Sequence, residues 1–140
     1  MIFLLVLTNL IFLINVESLV EQSLKQSLFN SSYDKTTRPY DKVNITFEFS
    51  FRQVVNLDEK NQIATSVYIT LTWYDPRLIW SYDQYPIDYM TIKANKLWLP
   101  DLYVLNTADT NGLLTFTDSN LALLLKDGKI ILNYGLNGNF

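Results

Sequence analysis

The 140-residue chain is 49% hydrophobic and 18% charged, which is the composition of one globular domain large enough to bury a single core. Its net charge is −3 and its lysines and arginines are scattered, so it has no basic stripe that could track a phosphate backbone, and nucleic acid is not an expected partner. The absence of His and Cys excludes the usual zinc ligands, the His-assisted nucleophiles and the commonest general base near neutral pH, so we expect no enzyme, no metal and no cofactor.

Residues 1–18 have the features of a signal peptide. The stretch 2–16 is apolar apart from three polar residues, and it is too short for a convincing membrane span. We predict cleavage after Ser18. An uncleaved membrane anchor is the alternative, because the only positive charge ahead of the apolar stretch is the terminal amine. Both interpretations export the rest of the chain, and the predicted N-glycosylation acceptors Asn30 and Asn44 agree with a secretory route.

The chain after the signal peptide begins with a predicted amphipathic helix, LVEQSLKQSLF. Its apolar residues Val20, Leu24 and Leu28 recur at every fourth position, which places them on one face. The helix should end before the polar cluster at residues 30–37, and Pro39 should begin an extended segment.

A period of two replaces the helical pattern from Val43 onwards. Apolar and polar side chains alternate as far as Arg52, which predicts a half-buried strand. The alternation slips at Val54-Val55, as at a β-bulge, and a turn is predicted over residues 56–61. The apolar face of this strand consists of Val43, Ile45, Phe47, Phe49 and Phe51.

The next segment, IATSVYITLTW, predicts a second strand. Its apolar residues, among them Val67, Ile69 and Leu71, share the face that should meet the core. Tyr68 then points away from the core, towards solvent or a partner. From the residues alone, an ordinary surface tyrosine of high β-propensity is the favoured interpretation.

The remaining pattern is that of many short strands with turns between them. In WYDPRLIW, the Asp75 and Arg77 side chains could pair and anchor a corner between two tryptophans, and the polar segment after it is a predicted loop. Such a pattern after one helix is typical of an antiparallel β-sandwich or barrel. The predicted strands are Tyr89–Ile92, Leu97–Val104, Leu113–Thr117, Leu121–Leu125 and Lys129–Asn133, with hairpin-type turns at Asn111-Gly112 and Asp127-Gly128.

The most specific features of the sequence are two tryptophan motifs. They are Trp73-x-Asp75-x-Arg77-Leu78-x-Trp80 and Trp98-x-Pro100-Asp101. With the order of segments from Leu19 to Asn133, they resemble the N-terminal half of the extracellular ligand-binding domain of Cys-loop pentameric neurotransmitter-gated ion channels, nearest to nicotinic acetylcholine receptor subunits. The resemblance implies an all-β, immunoglobulin-like antiparallel β-sandwich with a short N-terminal helix, formed here by residues 19–140. It also implies a ring of five subunits, with a small-molecule neurotransmitter between neighbours.

The same resemblance implies roles for individual residues. Tyr68 takes the position of an aromatic residue that contributes to a cage around an ammonium group, and the complementary face of the site consists of Tyr68, Thr70, Leu123, Ile131 and Asn133. The binding segment called loop A contains Trp98, Asp101, Tyr103 and Leu105, and the structural motif consists of Trp73, Asp75, Arg77, Trp80 and Pro100. Asp101 is expected to be buried and to accept backbone hydrogen bonds.

Some features depart from the family pattern. Leu105 stands where acetylcholine-binding subunits have a tyrosine, and residues 132–135 replace a Trp-x-Pro-Pro segment. The chain ends at Phe140, so we expect a domain truncated before its second half, the Cys loop and the pore, with membrane contact only through the missing part. Such a half-domain should not be stable alone, because its core and strand edges are open.

The alternatives to a receptor subunit are a soluble secreted relative resembling acetylcholine-binding proteins and a non-functional or modulatory fragment. An unrelated adhesion-type sandwich would have to produce both tryptophan motifs by chance. An enzyme working with carboxylates alone is the least favoured alternative.

Overall fold

The structure is a computed structural model, and it describes residues 19–30, 32–57, 63–103 and 120–139. Residues 19–28 form a helix, α1, and five strands follow. The strands are β1 (Thr46–Leu57), β2 (Ile63–Tyr74), β3 (Tyr89–Lys93), β4 (Leu121–Leu125) and β5 (Lys129–Asn139), with short 3₁₀ helices at Pro76–Leu78 and Ala94–Lys96. The predicted signal peptide lies outside the described residues.

The five strands form one sheet in the order β1-β2-β5-β4-β3, and every neighbouring pair is antiparallel. The predicted all-β antiparallel fold with one short N-terminal helix is thereby confirmed, and it is consistent with the immunoglobulin-like class. The predicted bulge is also confirmed, because the register of β1 on β2 shifts between Val54 and Asn56. None of the helices in the described ranges is long and apolar enough to cross a membrane.

The core lies on one face of the sheet. Cross-strand pairing places Leu71 beside Leu132 and Trp73 beside Ile130, and all four side chains are buried. The predicted helix face is confirmed, since Leu24 of α1 is fully buried in the same cluster. Val67 and Ile69 are also buried, whereas Tyr68, Ile131 and Asn133 are on the other face, which we call the outward face.

The predicted half-burial of the β1 apolar face is wrong for its three phenylalanines. Phe47, Phe49 and Phe51 are 52%, 58% and 57% exposed, although their cross-strand partners Leu71 and Ile69 are buried. β1 is the edge strand of the sheet, and the described segments that cover the core do not extend over it. The part of the apolar face that lies on β1 is therefore not covered by these segments.

The predicted strand Leu97–Val104 is also wrong within the described residues. Residues 97–102 are irregular, and only Tyr103 makes an isolated bridge. Pro100 lies in the middle of this segment and lacks a backbone N–H, so it cannot donate to a strand ladder. The predicted strand Leu113–Thr117 and the turn Asn111-Gly112 lie outside the described residues.

A buried ion pair forms the corner after β2. The Asp75 side chain is fully buried, and Arg77 donates to it twice, from Nε to Oδ1 at 2.8 Å and from Nη2 to Oδ2 at 2.7 Å. Arg77 Nη1 also donates to the backbone oxygens of Asp34 and Thr37, at 3.0 and 2.8 Å. The predicted pairing of Asp75 with Arg77 is confirmed, and the guanidinium ties the corner to the segment after α1.

Tyr33 extends this set of contacts, which we call the corner network, to the segment around Trp98. Its hydroxyl donates to Asp75 Oδ2 at 3.3 Å and accepts from the backbone N–H of Trp98 at 3.0 Å. The Arg77 guanidinium lies 4.7 Å from the centre of the Tyr33 ring. Burial raises the pKa of Tyr33 to about 12, so the hydroxyl keeps its proton at neutral pH and remains a donor to the carboxylate.

The predicted turn at Asp127-Gly128 is confirmed, and it joins β4 to β5. Gly128 has a φ of +79°, and its carbonyl accepts from the backbone N–H of Asp75 at 2.9 Å. A Cβ at this position would lie 2.5 Å from the Asp75 carbonyl oxygen. Only glycine fits both the left-handed backbone and the close contact with the corner.

We expect Asp75→Ala to lower the free energy of unfolding by about 3 kcal/mol, because it leaves Arg77 without its buried partner. The value is at the low end for such pairs because the Arg77 side chain is 27% exposed. Urea unfolding followed by tryptophan fluorescence would measure the change. Asp83→Ala, at an exposed loop position, is the control and should change stability by less than about 0.5 kcal/mol. Equal effects of the two substitutions would contradict this role for the ion pair.

We expect Gly128→Ala to destabilise the chain by more than about 1 kcal/mol, because it adds both backbone strain and a clash. Gly135→Ala is a matched control, since a Cβ at that position would lie 3.4 Å from Tyr68 Cε1, in ordinary contact. Gly135→Ala should leave the free energy of unfolding unchanged. The two urea midpoints test the prediction, and a Gly128 variant as stable as the Gly135 variant would refute it.

Candidate functional site

The structure brings the five residues of the predicted complementary face together. Thr70 of β2 pairs with Asn133 of β5, and Leu123 of β4 pairs with Ile131 of β5. Tyr68 lies two residues before Thr70, so alternation places it on the same outward face. The five side chains therefore form one patch across three adjacent strands.

The patch combines a polar side with an apolar side. The Thr70 hydroxyl donates to Asn133 Oδ1 at 2.8 Å, which fixes the two side chains relative to each other. Leu123 and Ile131 are half-buried and lie side by side. A ligand on this patch would meet an amide and a hydroxyl at one end and an apolar surface at the other.

Tyr68 is held between two other residues. Its ring lies beside Gly135, its cross-strand partner. The Arg52 guanidinium lies 4.7 Å from the ring centre, and Arg52 Nη1 donates to the Tyr68 hydroxyl at 3.3 Å. The prediction that Tyr68 points outward is confirmed, because the residue is 43% exposed. A cationic ligand on this ring would compete with Arg52.

The loop A residue Trp98 lies on the other side of the sheet. The Trp98 ring is half-buried and makes an edge contact with Trp73, at 6.4 Å between centroids. Trp73 belongs to the buried core face, so Trp98 is on the face opposite Tyr68. Tyr103 is 64% exposed, and Leu105 lies outside the described residues.

The expectation that Asp101 is a buried scaffold residue is wrong in this structure. Pro100 is buried, whereas Asp101 is exposed. Of the aspartates in the two tryptophan motifs, Asp75 is the buried one. The Trp80 indole N–H donates to the Ile87 carbonyl at 2.7 Å.

The sequence did not indicate that Arg52 and Gly135 lie beside Tyr68, or that Tyr33 joins the corner network. Their contacts join residues that are distant in the sequence, and only the strand register and the packing of the segment after α1 bring them together. Alternation did place Arg52 on the polar face of β1, which is the one signal that could have suggested a contact with Tyr68.

The two predicted N-glycosylation acceptors lie in segments that the structure describes. Asn30 and Asn44, the predicted glycosylation acceptors, are both exposed, and Asn30 Oδ1 accepts from the backbone N–H of Ser32 at 2.9 Å. The modification itself stays a prediction. Within the ranges that the structure describes, no three acidic, His or Cys side chains are grouped so that they could hold a metal ion.

Comparison with known proteins gives a consistent set of matches. Residues 21–138 match the family model described as neurotransmitter-gated ion-channel ligand binding domain. The chain is 37% identical over 97 residues to acetylcholine receptor subunit beta-like 1 of Drosophila melanogaster, which covers 65% of this chain and 18% of that protein. It is 42% identical over 77 residues to acetylcholine receptor subunit beta of Gallus gallus, covering 51% of this chain and 62% of that protein.

A third relative extends the match along the chain. The neuronal acetylcholine receptor subunit alpha-9 of Gallus gallus is 37% identical over 116 residues, which cover 75% of this chain and 23% of that protein. The chain therefore spans from about a fifth to about three fifths of the length of these relatives.

We expect the Arg52–Tyr68 contact to contribute about 0.5–1 kcal/mol to stability, as is usual for an exposed cation–π pair. A double-mutant cycle of Arg52→Gln and Tyr68→Leu, with urea unfolding as the readout, would measure the coupling. Tyr74→Leu combined with Arg52→Gln is the control, because Tyr74 lies on the same strand and face but six residues away. Coupling of equal size in both cycles would contradict a specific contact.

Proposed function

This chain belongs to the neurotransmitter-gated ion-channel ligand-binding domain family, and we propose that it is the extracellular neurotransmitter-binding part of a pentameric channel subunit. The proposed ligand is acetylcholine or another small amine, bound between neighbouring subunits. The family is one of receptor domains and not of enzymes. A cavity that binds and releases a transmitter needs no catalytic group, and none is proposed.

The observation that supports this proposal most directly is the placement of the predicted site residues on two opposite faces of one sheet. Tyr68 and its neighbours are on the outward face, whereas Trp98 packs on Trp73 of the core face. One chain cannot close a site from two surfaces that point apart. A second subunit, presenting its loop A segment to the first subunit's Tyr68 patch, would complete it.

The chemistry of the patch suits an amine with an apolar body. A cation–π contact with the Tyr68 ring contributes about 0.5–2 kcal/mol, depending on how well water is excluded. Leu123 and Ile131 would exclude water on one side, and the paired Thr70 and Asn133 would orient a polar group of the ligand. On the loop A side, Trp98 and Tyr103 supply aromatic surface, with Leu105 in place of a tyrosine.

The proposal extends to the location and partners of the chain. Residues 1–18 would direct it into the secretory pathway, and Asn30 and Asn44 would acquire glycans there. Its partners would be other subunits of a homo- or hetero-pentamer, with the domain on the extracellular side of the plasma membrane.

A second candidate is a secreted chain that modulates intact subunits or resembles the acetylcholine-binding proteins. The three exposed phenylalanines of β1 favour it, because an apolar edge of this kind is stable only when something covers it. In this case the chain would act by associating with a related domain.

We expect Tyr68→Ala to raise the acetylcholine concentration needed for half-maximal binding by about tenfold, because the cation loses its aromatic partner. Labelled acetylcholine binding would be measured on cells expressing the complete reading frame that includes this chain, alone and with other subunits. Tyr74→Ala, at a 49% exposed tyrosine of the same strand, is the control and should leave binding unchanged. An absence of specific binding before mutation, or equal losses in the two variants, would overturn the amine proposal.

A further inference from the structure

A groove lies at the edge of the sheet that is farthest from β1. It is bounded by α1, by the turn at residues 33–36 and by β3 with the 3₁₀ helix that follows it, and its volume is about 860 Å³. Cavities of about 300–1,000 Å³ are of the size that holds small molecules. Its apolar surface comes from Phe29 of α1, Ile92 of β3 and Leu121 of β4.

The groove is strongly basic, although the chain as a whole is acidic. Four of the eleven basic residues line it, and they are Lys25, Lys35, Lys93 and Lys96. The net charge of the whole chain is −3. Positive charge is therefore concentrated in this groove, where walls of low dielectric strengthen its field.

Two of the lysines already have partners within the chain. Lys25 pairs with Glu21 one helical turn away, and Lys35 Nζ donates to the Asn95 carbonyl at 2.9 Å. Lys93 and Lys96 have no ion pair with a carboxylate in the described ranges. They are the two ammonium groups available to an incoming anion.

The one carboxylate that lines the groove, Asp34, accepts hydrogen bonds from residues of its own turn. Asp34 accepts hydrogen bonds from the Thr36 N–H and hydroxyl at 2.8 and 2.7 Å and from the Thr37 hydroxyl at 2.8 Å. The hydrogen bonds from Thr36 are the main cause that lowers the pKa of Asp34 to about 2. Both carboxylate oxygens thus have hydrogen-bond partners in the turn, and no ion pair joins Asp34 to Lys93 or Lys96 in the described ranges.

We propose that this groove, which we call the lysine groove, binds a small organic anion with an apolar ring or chain. A carboxylate, sulfate or sulfonate would lie between Lys93 and Lys96, and the apolar part would pack against Phe29 and Ile92. Gln22 and Gln26 of α1 supply hydrogen-bond donors on the opposite wall. The groove is separate from Tyr68 itself, because β3 is three strands away from β2, roughly 14 Å. It borders the other end of the patch, where Thr91 of the groove pairs with Leu123.

The binding of two fluorescent probes tests this proposal on the purified chain, under conditions in which circular dichroism shows that it is folded. Anilinonaphthalene sulfonate carries the anion, and phenylnaphthylamine has the same rings without it, so exposed apolar surface such as the β1 phenylalanines should bind both. We expect the sulfonate probe to bind more tightly, and Lys93→Gln combined with Lys96→Gln to weaken it about fivefold or more without affecting the neutral probe.

A second pair of variants separates a local effect from a general one. Lys42→Gln combined with Lys129→Gln makes the same change in net charge outside the groove and should leave both probes unaffected. Gln26→Glu keeps every lysine but adds a negative charge to the helix wall, and it should weaken only the sulfonate probe. Far-ultraviolet circular dichroism would verify that each variant is folded. Equal affinity for the two probes, or equal losses in the groove and control variants, would overturn the proposal.

Discussion

The buried carboxylate of Asp75 is the constraint on which the corner of this fold depends. A charge without solvent must be paired and hydrogen-bonded, and Asp75 meets this need with Arg77 and Tyr33. The same partners bind the turn after α1 and the backbone of Trp98, while the Asp75 N–H bonds to Gly128. Satisfying one carboxylate thus joins three segments that are far apart in the sequence, and the Asp75 backbone N–H adds the turn at Gly128 as a fourth.

This corner separates two surfaces with different chemistry. On the core side, Trp73 packs against Trp98 and holds the Trp-x-Pro-Asp segment near the network. On the outward side, the sheet presents Tyr68 with its neighbours, held by strand pairing, by Arg52 and by the Thr70–Asn133 hydrogen bond. A sheet makes this division rigid, since side chains on opposite faces cannot exchange places without a shift of register. The proposed site between neighbouring subunits would use these two fixed and different faces.

Much of this could be predicted from the sequence where the signal was local. The repeat of Val20, Leu24 and Leu28 predicted α1, and alternation through β2 turned Tyr68 outward. The spacing of Asp75 and Arg77 predicted their pairing. The failures have a common cause. Phe47, Phe49 and Phe51 alternate as a core face should, yet they are exposed, because alternation cannot say whether any segment covers that face.

The sequence by itself determined the class of fold and the face on which the β2 side chains from Val67 onwards lie, because periodicity and turn residues act over a few neighbouring positions. It indicated the family through the resemblance carried by the two tryptophan motifs. Only the tertiary structure decided that Asp75, and not Asp101, is the buried carboxylate, that Arg52 lies over Tyr68, and that four dispersed lysines meet in one groove. These outcomes depend on strand register and on which segments pack together. Contacts between residues tens of positions apart leave no periodic trace in a single sequence.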